Sequence, residues 1–210
     1  MVPVWRKLEK SGVTRFWWLR HGPISITPGT IKGQTDVPCD LPAEVVADTR
    51  ARLPAGAVVV SSPLRRAVDT ARALGLEPAA TDPALMEQDF GAWTGRTWAD
   101  LEAEAAALGF WDRPALARPP GGESFADQVA RVGAAIARLA AAHAGRDVVV
   151  PCHAGTIRAA LAQALGVAAD PAPALGFVIA PLSLTRIDVF PDGGARIRWV
   201  NLGGVEGDGP

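Results

Sequence analysis

Two of the three histidines in this chain stand directly after short apolar runs, where they could act on a bound ligand. His21 follows Trp17-Trp18-Leu19-Arg20, and His153 follows Val148-Val149-Val150-Pro151-Cys152. Apolar runs of this length predict buried strands, and ligands of open α/β sheets bind beyond the carboxyl ends of the strands. We therefore expect both imidazoles at one edge of a sheet.

Three charged side chains would complete a site for a phosphate ester. Arg20 precedes His21, Arg66 follows a third apolar run, and Glu87 stands between Met86 and Gln88. Phosphoryl transfer requires a nucleophile, cations around the phosphoryl oxygens and an acid for the leaving oxygen. Guanidinium groups suit the oxygens, and a carboxylic acid suits the leaving group.

The histidines have separate expected roles. A neutral imidazole at His21 could attack phosphorus and form a phosphohistidine that water later cleaves. His153 would donate a further hydrogen bond to the phosphoryl oxygens. The helix expected after it, near Ala154, would add backbone N–H groups and its dipole.

The elements needed to position these residues follow from apolar periodicity and turn residues. Strands are predicted at 13–19, 57–61 and 147–152, and each precedes a possible helix. Helices are predicted at 42–53, 63–74, 123–143 and 156–165, with Gly166 closing the last. Segments 182–190 and 195–202 flank Pro191-Asp192-Gly193-Gly194 and predict a hairpin. The expected fold is α/β, a three-layer α/β/α sandwich whose mostly parallel central sheet has an antiparallel edge.

The 210 residues suffice for one sizeable core, so we expect a single domain over 1–210. The loop 22–41 follows His21 and is expected to contact substrate. A helical cap is expected at about 94–122. The tail at about 203–210 is expected to fray.

The composition argues against nucleic acid and membranes as binding partners. A formal net charge of -1 predicts no bulk attraction to nucleic acid or anionic membranes. Two cysteines form no disulfide framework, and no apolar stretch reaches the ~18 residues of a membrane span. We expect a cytoplasmic protein with a small phosphomonoester substrate. A homodimer could form through the C-terminal hairpin edge.

Five segments, in this order, resemble motifs of the histidine phosphatase (phosphoglycerate mutase-like) superfamily. They are Leu19-Arg20-His21-Gly22, Ser61-Ser62-Pro63-Leu64-Arg65-Arg66, Glu87 with Phe90-Gly91, Gly121-Gly122-Glu123-Ser124, and Cys152-His153-Ala154-Gly155-Thr156-Ile157-Arg158. The resemblance implies that His21 is phosphorylated and that Arg20, Arg66 and His153 form the phosphate pocket. It implies Glu87 as proton donor, with no metal and no cofactor.

Within that superfamily the chain looks most like the α-ribazole phosphatases of the cobalamin pathway, through 33–38 and 86–98. Gln34, Thr35 and Ala154 are then expected to contact substrate. Pro23 and Ile24 depart from the common pattern, and Thr27 stands where many members have Asn, so its hydroxyl would offer a single donor.

Three other functions remain open. A mutase would return the phosphoryl group to another hydroxyl of the substrate. An inactive phosphate-binding or scaffold protein would use the pocket without turnover. A two-histidine metal hydrolase would require carboxylates at ligand spacing beside the histidines, and the sequence shows none.

Overall fold

The computed structural model describes residues 12–205, which contain a six-stranded sheet. The strands are β1 (Thr14–Arg20), β2 (Val58–Ser61), β3 (Ala80–Thr81), β4 (Asp147–Cys152), β5 (Leu184–Val189) and β6 (Ala195–Leu202). Their order is β3-β2-β4-β1-β5-β6. The pairs from β3 to β1 are parallel, whereas β5 is antiparallel to both its neighbours. The mostly parallel sheet with an antiparallel edge is confirmed.

Helices cover both faces of this sheet. They are α1 (Ala43–Arg52), α2 (Arg65–Ala73), α3 (Trp98–Ala107), α4 (Phe125–Ala142) and α5 (Ala154–Leu165), with 3-10 turns at Pro83–Leu85, Gly91–Trp93 and Ala172–Gly176. Side chains of a strand alternate between faces. Phe16 and Trp18 accordingly pack with α4 and α5, and Trp17 packs with residues of α1 and α2. This gives the three layers expected.

The starts of the helices differ from the predictions by one or two residues. Pro42 is the N-cap of α1 and not its first helical residue, and Leu64 is the N-cap of α2. Helix α5 begins two residues earlier than predicted, because extended backbone at His153 passes directly into the helix. Ala154 and Gly155 therefore belong to its first turn. Gly166 closes α5 in the left-handed conformation, as predicted.

The segment expected to form a cap has its own small core. A buried cluster here is separate from the two clusters that pack against the faces of the sheet. Its members are Ile31, Trp93, Leu101, Ala105 and Phe110. Its two ends meet, because Ala92 N donates to Pro120 O at 2.9 Å. A β-carbon on Gly91, which has φ 49°, would come within 2.3 Å of that oxygen. Glycine is therefore required where the segment closes.

Part of the predicted tail is attached to the fold. Val205 N donates to Pro181 O at 2.8 Å. Fraying of the tail stays a prediction, and residues 206–210 lie outside the described residues. None of the helices within residues 12–205 has the length and apolarity to cross a membrane.

Trp93 should be a main contributor to the stability of the cap cluster. It is fully buried, whereas Trp111 in the same aromatic group is 51% exposed. We expect Trp93→Ala to lower the free energy of unfolding by about 3–5 kcal/mol. Trp111→Ala should cost about 1 kcal/mol or less. Urea unfolding of both variants measures the difference, and similar losses would contradict a buried cluster around Trp93.

Candidate active site

The two histidines lie together because their strands are adjacent. In the β1–β4 pairing Arg20 is opposite Cys152, so His21 and His153 are the next residues of two parallel strands. Their ring centroids are 5.2 Å apart, and both side chains are buried. The sheet order thus forms one cluster from residues more than 130 positions apart in the chain.

His21 is held as a neutral imidazole with a defined tautomer. Its Nδ1 lies 2.6 Å from Gly22 O, and because a carbonyl only accepts, Nδ1 must carry the hydrogen. Burial, and then the charges of Arg66 and Arg20, hold the pKa of His21 well below its usual 6.5. The lone pair is therefore on Nε2. This atom makes no hydrogen bond within residues 12–205, and it is not among the buried atoms that lack a partner, so it is accessible.

Arg66 and His153 orient each other. Arg66 Nε donates to His153 Nδ1 at 3.2 Å, so the hydrogen of a neutral His153 is on Nε2, which lies 2.8 Å from Ser62 Oγ. The terminal nitrogens of Arg66 donate to Gly33 O and Thr35 O, each at 2.7 Å. Burial is the main cause that holds the pKa of His153 well below its usual value, and the electrostatic effects of His21 and Arg66 act in the same direction.

The hydrogen bond between His153 and Ser62 affects the expected role of His153 as a donor to phosphoryl oxygens. Its single N–H is donated to Ser62, so donation to a phosphoryl oxygen would require that bond to be exchanged. The phosphate-binding role of His153 therefore stays a prediction, and its observed contacts fix the plane of the Arg66 guanidinium.

Arg20, the residue before His21, also lowers the pKa of that imidazole by its charge. Its Nη1 donates to Ile179 O, while its Nε is buried without a hydrogen-bond partner among residues 12–205. Burial is the main cause that lowers the pKa of Arg20. A buried donor with no acceptor is costly, so an anion bound here would supply the acceptor that the protein does not.

Glu87 is held by the first turn of α5 and by α4. Gly155 N donates to its Oε2 at 3.3 Å, and Gln128 Nε2 donates to its Oε1 at 3.3 Å. Arg131 Nη2 donates to the Glu87 carbonyl at 2.9 Å. A β-carbon on Gly155 would lie 2.2 Å from Glu87 Oε1, so any other residue there would displace the carboxylate from this position.

The four residues that were predicted to contact substrate lie in different parts of the structure. Gln34 Nε2 donates to the Glu87 carbonyl at 3.0 Å, and Thr35 uses its carbonyl to hold Arg66. Thr27 is exposed with φ 45°, and its hydroxyl accepts from Lys32 Nζ at 2.7 Å. Ala154 is the first residue of α5. Direct contact of these four residues with substrate stays a prediction.

Sequence reasoning gave no role to several residues that support the site. Ser62 accepts from His153, and Gln128 and Arg131 hold Glu87. Arg158 received no role either; the charge of Glu87 raises its pKa against the effect of burial. Its place four residues after Ala154, on the same helix face, was the signal available in the sequence.

The fold and this cluster define a class of protein. Residues 16–202 match the histidine phosphatase superfamily (branch 1). The chain belongs to this superfamily, as the motifs indicated.

Individual relatives differ in how much of their length is matched. The chain is 38% identical over 153 residues to the bifunctional protein Rv2228c of Mycobacterium tuberculosis, covering 70% of this chain and 41% of that protein. It thus spans about two fifths of the first curated relatives that it matches. Glucosyl-3-phosphoglycerate phosphatase of Mycolicibacterium vanbaalenii is 36% identical over 214 residues, with 89% of this chain and 92% of that protein covered.

Solved structures share the fold. The α-ribazole phosphatase from Shigella flexneri superposes with a TM-score of 0.75 at 27% identity, covering 92% of this chain and all (100%) of the other. The expected similarity to α-ribazole phosphatases is therefore confirmed.

The lowered pKa values of the two histidines predict a loss of stability in mild acid. At pH values between the histidine pKa of the folded protein and 6.5, the unfolded chain binds more protons than the folded chain. The stability that comes from neutral histidines is therefore complete above pH 6.5 and is lost as the pH falls below 6.5. At about pH 5 the loss should reach up to about 2 kcal/mol for each histidine.

Urea unfolding at pH 7.5 and at about pH 5 tests this. We expect His153→Gln to lose less free energy of unfolding between the two pH values than the wild type. The control His143→Gln removes a histidine at the end of α4 and should behave like the wild type. An equal loss in His153→Gln and wild type would show that His153 is not held neutral.

Proposed function

We propose that this protein is a phosphomonoesterase that acts through a phosphohistidine at His21. The observation that carries the proposal is the neutral, buried imidazole whose lone pair is on an accessible Nε2 and whose pKa is lowered by burial and by the charges of Arg66 and Arg20. Such a group is a nucleophile at neutral pH, and the adjacent positive charges favour an incoming phosphate.

The first step transfers the phosphoryl group. His21 Nε2 attacks phosphorus as the ester P–O bond breaks, and Arg20 and Arg66 stabilise the charge on the phosphoryl oxygens. The leaving alkoxide takes a proton from Glu87, which becomes a carboxylate. The alcohol departs and the phosphoryl group remains on nitrogen.

The second step hydrolyses the intermediate. A water attacks phosphorus, gives a proton to Glu87, and the N–P bond breaks. Inorganic phosphate leaves, and both His21 and Glu87 return to their starting protonation states. Gly155 and Gln128, which hold the Glu87 carboxylate, keep it in place for both transfers.

The substrate proposed is a small phosphorylated metabolite. α-Ribazole 5'-phosphate is one candidate, supported by the sequence motifs and by the structure from Shigella flexneri. Glucosyl-3-phosphoglycerate is a second, supported by the mycobacterial relative matched over most of its length. A panel containing both compounds, with released phosphate as readout, decides between them.

Loss of the nucleophile should abolish turnover. We expect His21→Ala to release no phosphate from p-nitrophenyl phosphate and to form no acid-labile phosphoenzyme, while His143→Ala stays active. Vanadate, which mimics the transferring group, should inhibit the wild type at or below millimolar concentration.

The same assays separate the alternatives. Isomerised phosphoglycerate without released phosphate would indicate a mutase. No turnover of any ester would indicate a binding protein, and inactivation by a chelator would indicate a metal hydrolase. Each result would contradict the proposal.

Gly155→Ala should impair proton transfer selectively. The added methyl would displace the Glu87 carboxylate, so kcat should fall by about 10- to 100-fold with little change in KM. Gly176→Ala is the matched control, because a β-carbon there meets no atom within 4 Å. An unchanged kcat in Gly155→Ala would argue against Glu87 as the proton donor.

A further inference from the structure

The segment that carries Glu87 is held by an ion pair that the proposed phosphoryl transfer does not use. Arg131 on α4 is paired with Glu123, the residue before the N-cap of that helix. Arg131 Nε lies 3.0 Å from Glu123 Oε2 and 3.2 Å from Oε1. The Arg131 and Glu123 side chains are only 23% and 16% exposed. We name residues 84–89, which the pair contacts, the donor segment.

The Arg131 guanidinium fixes the backbone on both sides of the Glu87 α-carbon. Its Nη1 donates to the carbonyls of Ala84 and Met86 at 2.8 and 3.0 Å, and its Nη2 donates to the Glu87 carbonyl at 2.9 Å. Peptide units are planar, and the donors of a guanidinium keep a fixed fork. The two peptide units that flank the Glu87 α-carbon are therefore oriented by one rigid group, which sets the direction of the Glu87 side chain.

Glu123 holds the other end of the donor segment. Its Oε1 accepts from Asp89 N at 3.0 Å, and its backbone carbonyl accepts from Gln88 Nε2 at 2.9 Å. Its backbone N–H donates to Asp89 O at 2.9 Å. A β-carbon on Gly122 would lie 2.4 Å from that oxygen, so the chain before Glu123 approaches the donor segment as closely as glycine permits. The two residues after Glu87 are thus joined to the start of α4.

The restraints on the Glu87 carboxyl group are weaker than those on its backbone. The carboxylate accepts from Gln128 Nε2 and from Gly155 N, and both distances are 3.3 Å. A third donor, Gln88 N at 3.0 Å, belongs to the donor segment and moves with it. When Glu87 carries its proton, the bonds from Gln128 and Gly155 join neutral groups. The bonds from Arg131 keep an ionised donor and are roughly twice as strong, so Arg131 sets the position of the acid form.

Arg131 depends in turn on Glu123. The terminal nitrogens of Arg131 reach three carbonyls only while the guanidinium keeps one plane, and its Nε bonds to the Glu123 carboxylate hold that plane. A largely buried charge that loses its partner is also costly. Loss of either side chain therefore releases the donor segment.

We propose that Arg131 and Glu123 are positioning residues for the proton transfer from Glu87. They orient the backbone from which the carboxyl group projects, and they act through Glu87 and not on the substrate. This inference rests on the proposed phosphomonoesterase activity with Glu87 as proton donor. A general acid must come within about 3 Å of the oxygen that it protonates, and a misplacement of about 1 Å can cost about 100-fold in rate.

The test compares two esters whose leaving groups differ in their need for a proton. Phenyl phosphate and p-nitrophenyl phosphate differ by a nitro group, which delocalises the charge of the departing phenolate. The kcat/KM values cover the steps up to the phosphoenzyme, so hydrolysis of the intermediate, which both esters share, does not enter. The ratio of the two kcat/KM values therefore reports proton transfer to the leaving oxygen.

Replacement of either member of the pair should affect phenyl phosphate selectively. Arg131→Gln should lower kcat/KM for phenyl phosphate by about 10- to 100-fold and for p-nitrophenyl phosphate by about 3-fold or less. Glu123→Gln keeps an acceptor for Asp89 N but loses the charge that holds Arg131, so its selective loss should be about 3- to 10-fold. Arg131→Lys keeps the charge without the fork and should restore part of the wild-type ratio.

Two further variants calibrate the comparison. Arg138→Gln is the matched control, because Arg138 lies two turns after Arg131 on α4 and pairs with Asp82, just before the donor segment, with a side chain that is 55% exposed. Exposed pairs contribute little, so this variant should keep the wild-type ratio. Glu87→Gln removes the proton itself and should show the largest selective fall.

The outcomes separate this inference from the function on which it rests. Equal falls for both esters in the Arg131 and Glu123 variants, or no fall for either ester, overturn the positioning role. If Arg131→Gln does not fold, Glu123→Gln decides by the same criteria. A selective fall in Glu87→Gln without one in the pair variants leaves the proton donor in place and removes only its positioning by the pair. An unselective Glu87→Gln removes Glu87 as donor and the inference with it, and a wild type that hydrolyses neither ester removes the phosphomonoesterase as well.

Discussion

The parallel pairing of β1 with β4 is the constraint on which the site depends. Strands that run in the same direction end at the same edge, so the residues that follow them must share the space above it. His21 and His153 occupy that space with their rings 5.2 Å apart. Both side chains are buried, and the charges of Arg66 and Arg20 act on both, so a charged imidazole is disfavoured there for two reasons. The neutral state that the proposed nucleophile requires at His21 follows from this environment.

Keeping several arginines in a largely buried pocket requires acceptors that add no negative charge. The protein uses backbone carbonyls for this purpose: Gly33 and Thr35 hold Arg66, and Ile179 and Phe177 hold Arg20 and Arg158. Carbonyl dipoles satisfy N–H groups without neutralising the cation. The positive charge is thus left for an anionic ligand, whereas carboxylate partners would have cancelled it.

Helix α5 connects the region of the two histidines with Glu87, the proposed proton donor. It begins immediately after His153, and its first turn bonds the Glu87 side chain through Gly155. Thr156 extends the connection by donating to the Met86 carbonyl at 3.0 Å. The separation between His21 and Glu87 is therefore set by one helix start packed against one loop, and a single methyl group at Gly155 is enough to disturb it.

Local sequence patterns were enough to locate the strands that hold the site and the residue types at their ends. Apolar runs, glycines and prolines are local signals, so β4 was predicted with its observed bounds, and His21 and His153 were placed at strand ends. The two-residue β3 and the 3-10 turns are too short to show a period. The hydrogen-bond partners of most side chains in the site, in contrast, follow from long-range contacts. Ser62 and His153 are bonded across 91 positions, and the tautomers of both histidines follow from such contacts. Arg20 and Arg158 donate to the carbonyls of Ile179 and Phe177, in a segment that neither side chain indicates by its sequence position. Contacts of this kind depend on strand order and loop packing, which no local pattern encodes.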